Sequence, residues 1–311
     1  MHAAESIPIP QGAVATRMKN VDQSQGIELP PELGDCLLRM GRNVQDAEEI
    51  TTRSTSSERE AFRLVLDDGS FVKARWLLGE AHASRWNRLR NAVGDPLFLT
   101  ATLHREGRFV LEEWIEGEPL PMLDVPAALL GQAGELLARM HLMDVPGRGT
   151  VEAADEVRRM DKLIDSLVSH GAFAESAAGG LRARLWESAP DHTVNGLAHF
   201  DFCGENLVMH PSRGLVSIDN EWMCLGSLEY DVARALYRWD LTGVARETFL
   251  GSYRAAGGAA AVDALDWWFF ANSIHASEIR VRRAWPDAAA TVAGLLASCP
   301  PQNKKLNTNP C

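Results

Sequence analysis

Between residues 61 and 76 apolar and polar positions alternate on either side of one short break. Ala61-Phe62-Arg63-Leu64-Val65-Leu66 precedes Asp67-Asp68-Gly69, and Ser70-Phe71-Val72-Lys73-Ala74-Arg75-Trp76 follows it. A period of two around an Asp-Gly turn predicts an antiparallel hairpin. Residues 80–91 are polar and helix-prone, and Arg108-Phe109-Val110-Leu111 reads as a further strand ahead of Glu112-Glu113-Trp114-Ile115-Glu116-Gly117. The period then changes. Leu129, Leu130, Ala133, Leu136, Leu137 and Met140 share one face at helical spacing, and Pro146-Gly147 closes the segment. Segments 152–170, 229–256 and 263–284 carry the same amphipathic pattern, the last with the cluster Trp267-Trp268-Phe269-Phe270. Two short apolar runs, 207–209 and 214–218, flank Pro211-Ser212-Arg213-Gly214 and predict a second hairpin.

Strands early and helices late predict an α+β protein: a small β-rich N-terminal lobe joined to a larger, mostly helical C-terminal lobe. A cleft between two such lobes is a natural ligand site. Polar, proline-bearing character marks residues 1–30 as a flexible arm and 300–311 as a flexible tail. The lobes are then expected at 31–113 and 114–299.

Composition narrows the partners. With 31 basic and 42 acidic residues the net charge is −11, which argues against non-specific binding to nucleic acid or anionic membrane. It mildly favours a cationic small partner, although solubility alone explains the acidity as well. The five cysteines show no CxxC spacing, so neither a disulfide framework nor a zinc site is expected. The first twenty residues lack the pattern of a secretory leader, and no uncharged apolar run reaches about 18 residues. The expected compartment is the cytoplasm.

The chemistry concentrates in His199-Phe200-Asp201-Phe202-Cys203-Gly204-Glu205-Asn206. Phosphoryl transfer needs a carboxylate near the acceptor hydroxyl, a cation on the phosphates and hard oxygen ligands for magnesium. Asp201 and Asn206 share a loop of the right length to place one oxygen at an acceptor and one amide oxygen on a metal. The hairpin that follows delivers Asp219 next to Asn206. Read as mere loop polars, these residues would need no such order; a metal hydrolase using His199, Asp201 and His210 would leave the companion motifs unexplained.

Those companions carry a resemblance. His199-x-Asp201-x-x-x-x-Asn206 and Ile218-Asp219-x-Glu221 are followed by Gly226-Ser227-Leu228-Glu229-Tyr230-Asp231-Val232-Ala233. Leu136-Leu137-Ala138-Arg139-Met140-His141 and Ile115-Glu116-Gly117-Glu118-Pro119-Leu120 lie upstream in the same order. Together they resemble the aminoglycoside phosphotransferase and choline kinase family, small-molecule kinases of protein-kinase-like fold. The resemblance implies ATP or GTP and Mg2+ as cofactors and a hydroxyl of a small molecule as acceptor. It makes Asp201 the catalytic carboxylate and Asn206 and Asp219 the metal ligands. Lys73 would contact the nucleotide phosphates with Glu80 as its helix partner, Ser56 would lie in the phosphate-covering loop, and Glu113 and Ile115 would meet the adenine. His199 and Asp231 would brace the catalytic loop. Phe200 departs from the family, which often has glycine there, as do Cys203 and the acidic Glu112.

For the acceptor, Trp268 with Asp266 or Glu278, and Glu221 nearer the loop, would suit a cation through ring and charge contacts; core packing is the other reading of the tryptophans. The first expectation is an aminoglycoside-like antibiotic or related cationic natural product. A kinase of an amino alcohol or amino acid, and a nucleotide-binding pseudokinase, are the alternatives.

Overall fold

The structure, a computed structural model, describes residues 29–50, 61–76, 99–106, 108–258, 262 and 264–298. Residues 1–28 of the proposed arm, the tail, Ser56, Glu80 and the 80–91 segment lie outside the described residues. The N-terminal part opens with helix α1 (Pro31–Arg39). Strands β1 (Val44–Glu49), β2 (Ala61–Leu66), β3 (Phe71–Trp76), β4 (Thr102–Glu106) and β5 (Phe109–Glu113) form an antiparallel sheet in the order β1-β2-β3-β5-β4. The β2–β3 hairpin is the one its alternation predicts.

Because successive side chains in a strand point to opposite faces, this sheet has two chemistries. Phe62, Leu64, Leu66, Val72, Ala74, Phe109 and Leu111 share a face and form a core with Leu33, Cys36 and Leu37 of α1. Lys73, Arg75 and Glu112 fall between those positions and so face the other way, toward the second lobe.

The second lobe contains α2 (Ala127–His141), β6 (Gly149–Glu152), α3 (Ala154–Ser169), α4 (Glu175–Glu187), β7 (His192–Ala198), β8 (Leu207–His210), β9 (Gly214–Ser217) and β10 (Cys224–Ser227). Helices α5 (Leu228–Arg238), α6 (Gly243–Ala255), α7 (Leu265–Arg282) and α8 (Ala288–Ala297) complete it. Strands β6, β7 and β10 form one small antiparallel sheet, and β8 and β9 form the second predicted hairpin. A large core gathers the apolar faces of these helices, with Leu136, Leu137, Met160, Ile164, Leu236, Phe249 and Ile274 fully buried or nearly so. No described helix is long and apolar enough to cross a membrane.

One predicted helix is two. The 229–256 pattern breaks after Arg238, where Asp240 takes a positive φ of 51° and Gly243 another of 51°. A left-handed residue ends a helix whatever the side-chain pattern around it. The aromatic cluster of α7 is core: Trp267 and Trp268 are 4% and 1% exposed, and Trp268 packs edge-on against Tyr230.

Candidate active site

The loop after β7 carries Asp201, and one buried carboxylate builds that loop. Asp231, in the first turn of α5, accepts backbone N–H groups from His199 (2.6 Å) and Phe200 (2.7 Å). It also meets His141 Nε2 at 3.0 Å, and His141 Nδ1 lies 2.8 Å from the Tyr253 hydroxyl. Burial would push the Asp231 carboxyl up, but the hydrogen bond and charge of His141, with help from His199, hold it below the ordinary carboxylate value. His199 is buried and uses Nδ1 to accept the Asp201 N–H at 3.2 Å, so it braces the loop.

Phe200 explains its own oddity. Its φ is +62°, a left-handed conformation costing a residue with a Cβ roughly 1–2 kcal/mol, which glycine would escape. The ring instead lies on Gly226 of β10, where an added Cβ would stand 2.4 Å from Cζ, and 5.8 Å from the Tyr230 ring. Gly226→Ala is therefore expected to lose ~1–3 kcal/mol in a denaturant melt. Most of that loss should return in the double variant with Phe200→Gly; an unchanged deficit would show that the clash is not with this ring. Cys203 is fully buried, and burial pushes its thiol up to about 12. It should resist a thiol reagent in the native state and label only on unfolding.

Asn206 closes the loop from the other side. Its Nδ2 donates to the Asp201 carbonyl (2.7 Å) and carboxylate (3.3 Å), bonds that do not use the amide oxygen. The Asn206 carbonyl receives the Ile218 N–H at 2.9 Å, tying the loop to the segment that bears Asp219.

Asp219 has φ +57° and reaches across to the N-terminal sheet. Lys73 Nζ bonds to its Oδ1, and Arg75 Nη2 lies 3.3 Å from the same oxygen. Lys73 and Arg75 are two apart on β3 and so lie on one face. Glu112, opposite Lys73 in the β3–β5 register, is 3.8 Å from its Nζ and 2% exposed. The same carboxylate accepts the Asn220 N–H (2.8 Å) and Nδ2 (2.6 Å). Glu112 therefore couples the lysine to the loop after Asp219. Burial pushes the Lys73 ammonium below its ordinary value, and the Glu112 charge opposes that shift.

Other expected positions divide. Glu113 and Ile115 lie where the lobes join: the Glu113 N–H donates to the Ala101 carbonyl at 2.6 Å, and its carboxylate pairs with Arg213. Glu221, expected near the acceptor, is buried and faces β3, with Arg75 3.4 Å away. Trp268 lies inside the core, as the core-packing reading of the tryptophans has it. Glu278 is 6% exposed and engaged by Arg282 (2.9 Å) and Ser166 (3.2 Å), while Asp266 is exposed at the start of α7. Two arginines that no motif marked, Arg234 and Arg238 of α5, stand 3.7 and 3.1 Å from Asp201 Oδ1.

A small antiparallel sheet set over a helical lobe, with Asp201, Asn206, Asp219 and Lys73 meeting between them, defines a protein-kinase-like phosphotransferase acting on small molecules. The chain belongs to the phosphotransferase enzyme family, whose model matches residues 55–268. Among solved structures, the choline kinase LicA from Streptococcus pneumoniae is 15% identical with a TM-score of 0.61, over 86% of this chain and 98% of that one. The GDP and kanamycin complex of APH(2")-IIia is 14% identical with a TM-score of 0.60, over 82% and 93%. A macrolide 2'-phosphotransferase type I is 12% identical with a TM-score of 0.57, over 86% and 96%. At these identities the likeness is one of fold. A comparison with curated protein sequences gives no match.

Proposed function

We propose that this chain is an ATP- and magnesium-dependent kinase, GTP being the alternative donor, that phosphorylates a hydroxyl of a small molecule in the cytoplasm. The observation that supports it is the meeting of Asp201 and Asn206 from one loop with Asp219 from the next and Lys73 from the opposite lobe. The donor set suits magnesium: Asn206 has an amide oxygen that its bonds to Asp201 do not use and Asp219 supplies a carboxylate, both hard oxygen donors. Asn206 and Asp219 would hold the ion, which supplies charge neutralisation on the phosphates.

The chain's own groups do the rest. Lys73, positioned by Glu112, draws the phosphate oxygens into line, and the backbone at Glu113 and Ile115 meets the base. Asp201 orients the acceptor hydroxyl and takes its proton as the new O–P bond forms and the bond to the departing nucleoside diphosphate breaks. Arg234 and Arg238 fix the Asp201 carboxylate, so little reorganisation is needed at transfer. The neighbours' names cover a macrolide, choline and an aminoglycoside complex, so the acceptor at this level is a small hydroxylated molecule.

The test is nucleotide binding. ATP should raise the melting temperature only when magnesium is present, and Asp219→Ala should abolish the shift. No shift at any magnesium concentration would sink the proposal.

A further inference from the structure

The backbone and the carboxylate of Asp219 are held by different groups. On one side of its backbone the Ile218 N–H reaches the Asn206 carbonyl at 2.9 Å. On the other, Glu112 accepts the Asn220 N–H (2.8 Å) and Nδ2 (2.6 Å), and Arg105 donates to the Asn220 carbonyl (3.3 Å). None of these bonds touches the Asp219 carboxylate, so they leave its rotation about the side-chain bonds unset. Among the described residues, the side chains that hold the carboxylate are Lys73 and Arg75, and both meet Oδ1, not Oδ2.

The two cations have different calls on them. Lys73 is assigned to the nucleotide phosphates, so it must turn from Oδ1, or share it, once a nucleotide arrives. Burial pushes its ammonium down, Glu112 opposes that shift, and the neighbouring Arg75 charge adds to it. A phosphate anion would relieve this crowding of cations. Arg75 lies two positions further along the same face of β3, with Nη2 3.3 Å from Asp219 Oδ1 and Nη1 3.4 Å from Glu221 Oε1. Glu221 is buried and the Arg75 side chain is 17% exposed, so solvent screens the pair little. One planar guanidinium thus spans the two carboxylates that flank Asn220, and Glu221 offsets its charge.

We infer that Arg75 is a positioning residue for metal binding: it keeps Asp219 Oδ1 while Lys73 turns to the phosphates, so the carboxylate stays oriented toward the magnesium ion. This rests on the kinase reading above and adds to it a residue that no motif marks. A guanidinium suits the task because its fork is planar and always charged, whereas an ammonium is a point charge on a flexible stem. Because Glu221 balances the Arg75 charge, the pair brings little net field to the metal. What Arg75 contributes is the orientation of Asp219.

The test uses the full chain and the non-hydrolysable ATP analogue AMP-PNP, titrated by calorimetry at stepped magnesium concentrations and constant ionic strength. Arg75→Met should raise the magnesium concentration for half-maximal binding roughly tenfold, the low end for losing a group that orients a metal ligand. Affinity for the analogue at saturating magnesium should stay within about twofold of wild type, since the metal contact is the one weakened. Arg75→Lys should recover part of the magnesium affinity. Arg75→Met also takes a partner from buried Glu221, so the double variant Arg75→Met/Glu221→Gln is measured beside it and carries the comparison if the single variant does not fold. It should keep the raised magnesium requirement. A requirement that is unchanged or lowered in Arg75→Met, or back at the wild-type level in the double variant, overturns the inference. Wild-type protein that binds no analogue at any magnesium concentration removes the kinase reading and this role with it, whereas wild-type binding with unaltered variants removes only the role of Arg75.

Discussion

Asp201→Asn should leave ATP affinity within about twofold of wild type and lower turnover by ~10²–10⁴-fold, the span typical for removing a general base. The substitution keeps the shape of the side chain and the backbone bonds that hold the loop: the Asp201 N–H still reaches His199, and the Asp201 carbonyl still receives Asn206 Nδ2. What it removes is the negative oxygen proposed to take the hydroxyl proton, the one that Arg238 and Arg234 address. The loss should therefore fall on kcat, since nucleotide contacts are assigned to Lys73, Asp219 and the lobe junction. Steady-state kinetics beside a nucleotide titration checks this. Full turnover in the variant would show that another group accepts the proton.

Asp231→Ala should cost about 3–5 kcal/mol of stability, the range for breaking a buried, hydrogen-bonded charge pair. Asp231 is wholly buried and serves His141 and two consecutive backbone N–H groups. Alanine leaves all three without their acceptor inside the core. For a lobe of this size the melting temperature should fall on the order of 10 °C. Asp231→Asn offers a sharper readout. The folded Asp231 carboxyl lies below its unfolded value of about 3.9, so its stabilisation is complete above that pH and fades as pH falls through the folded value. The asparagine variant should lose part of this acid limb in a pH series of melts. An unchanged limb would place the acid sensitivity elsewhere.

Much of the site is legible in the chain because it is local. Asp201 and Asn206 share one loop, and the β8–β9 hairpin returns Asp219 to Asn206 within a few residues, a closure that spacing alone reveals. Lys73 is legible through the alternation that puts it opposite Ala74 on its strand. The residues that finish the site are not local. Glu112 gains its role only because the β3–β5 register sets it across from Lys73, and a shift of one residue would turn it to the other face. Arg75 pairs with Asp219 and with Glu221 because the lobes close on each other.

The fold divides in the same way. Strong alternation and strong helical stripes announced β2, β3 and α2, whereas β1, with the polar sequence Val-Gln-Asp-Ala-Glu-Glu, carries no such pattern and is a strand because β2 pairs with it. The sequence by itself determined the order of the lobes, the phosphotransferase chemistry and the loop that holds Asp201. Only the tertiary structure decided that Trp268 belongs to the core and that Arg234 and Arg238 both address the Asp201 carboxylate. Both arginines lie on α5, and their meeting with the loop after β7 follows from packing, which no local pattern encodes.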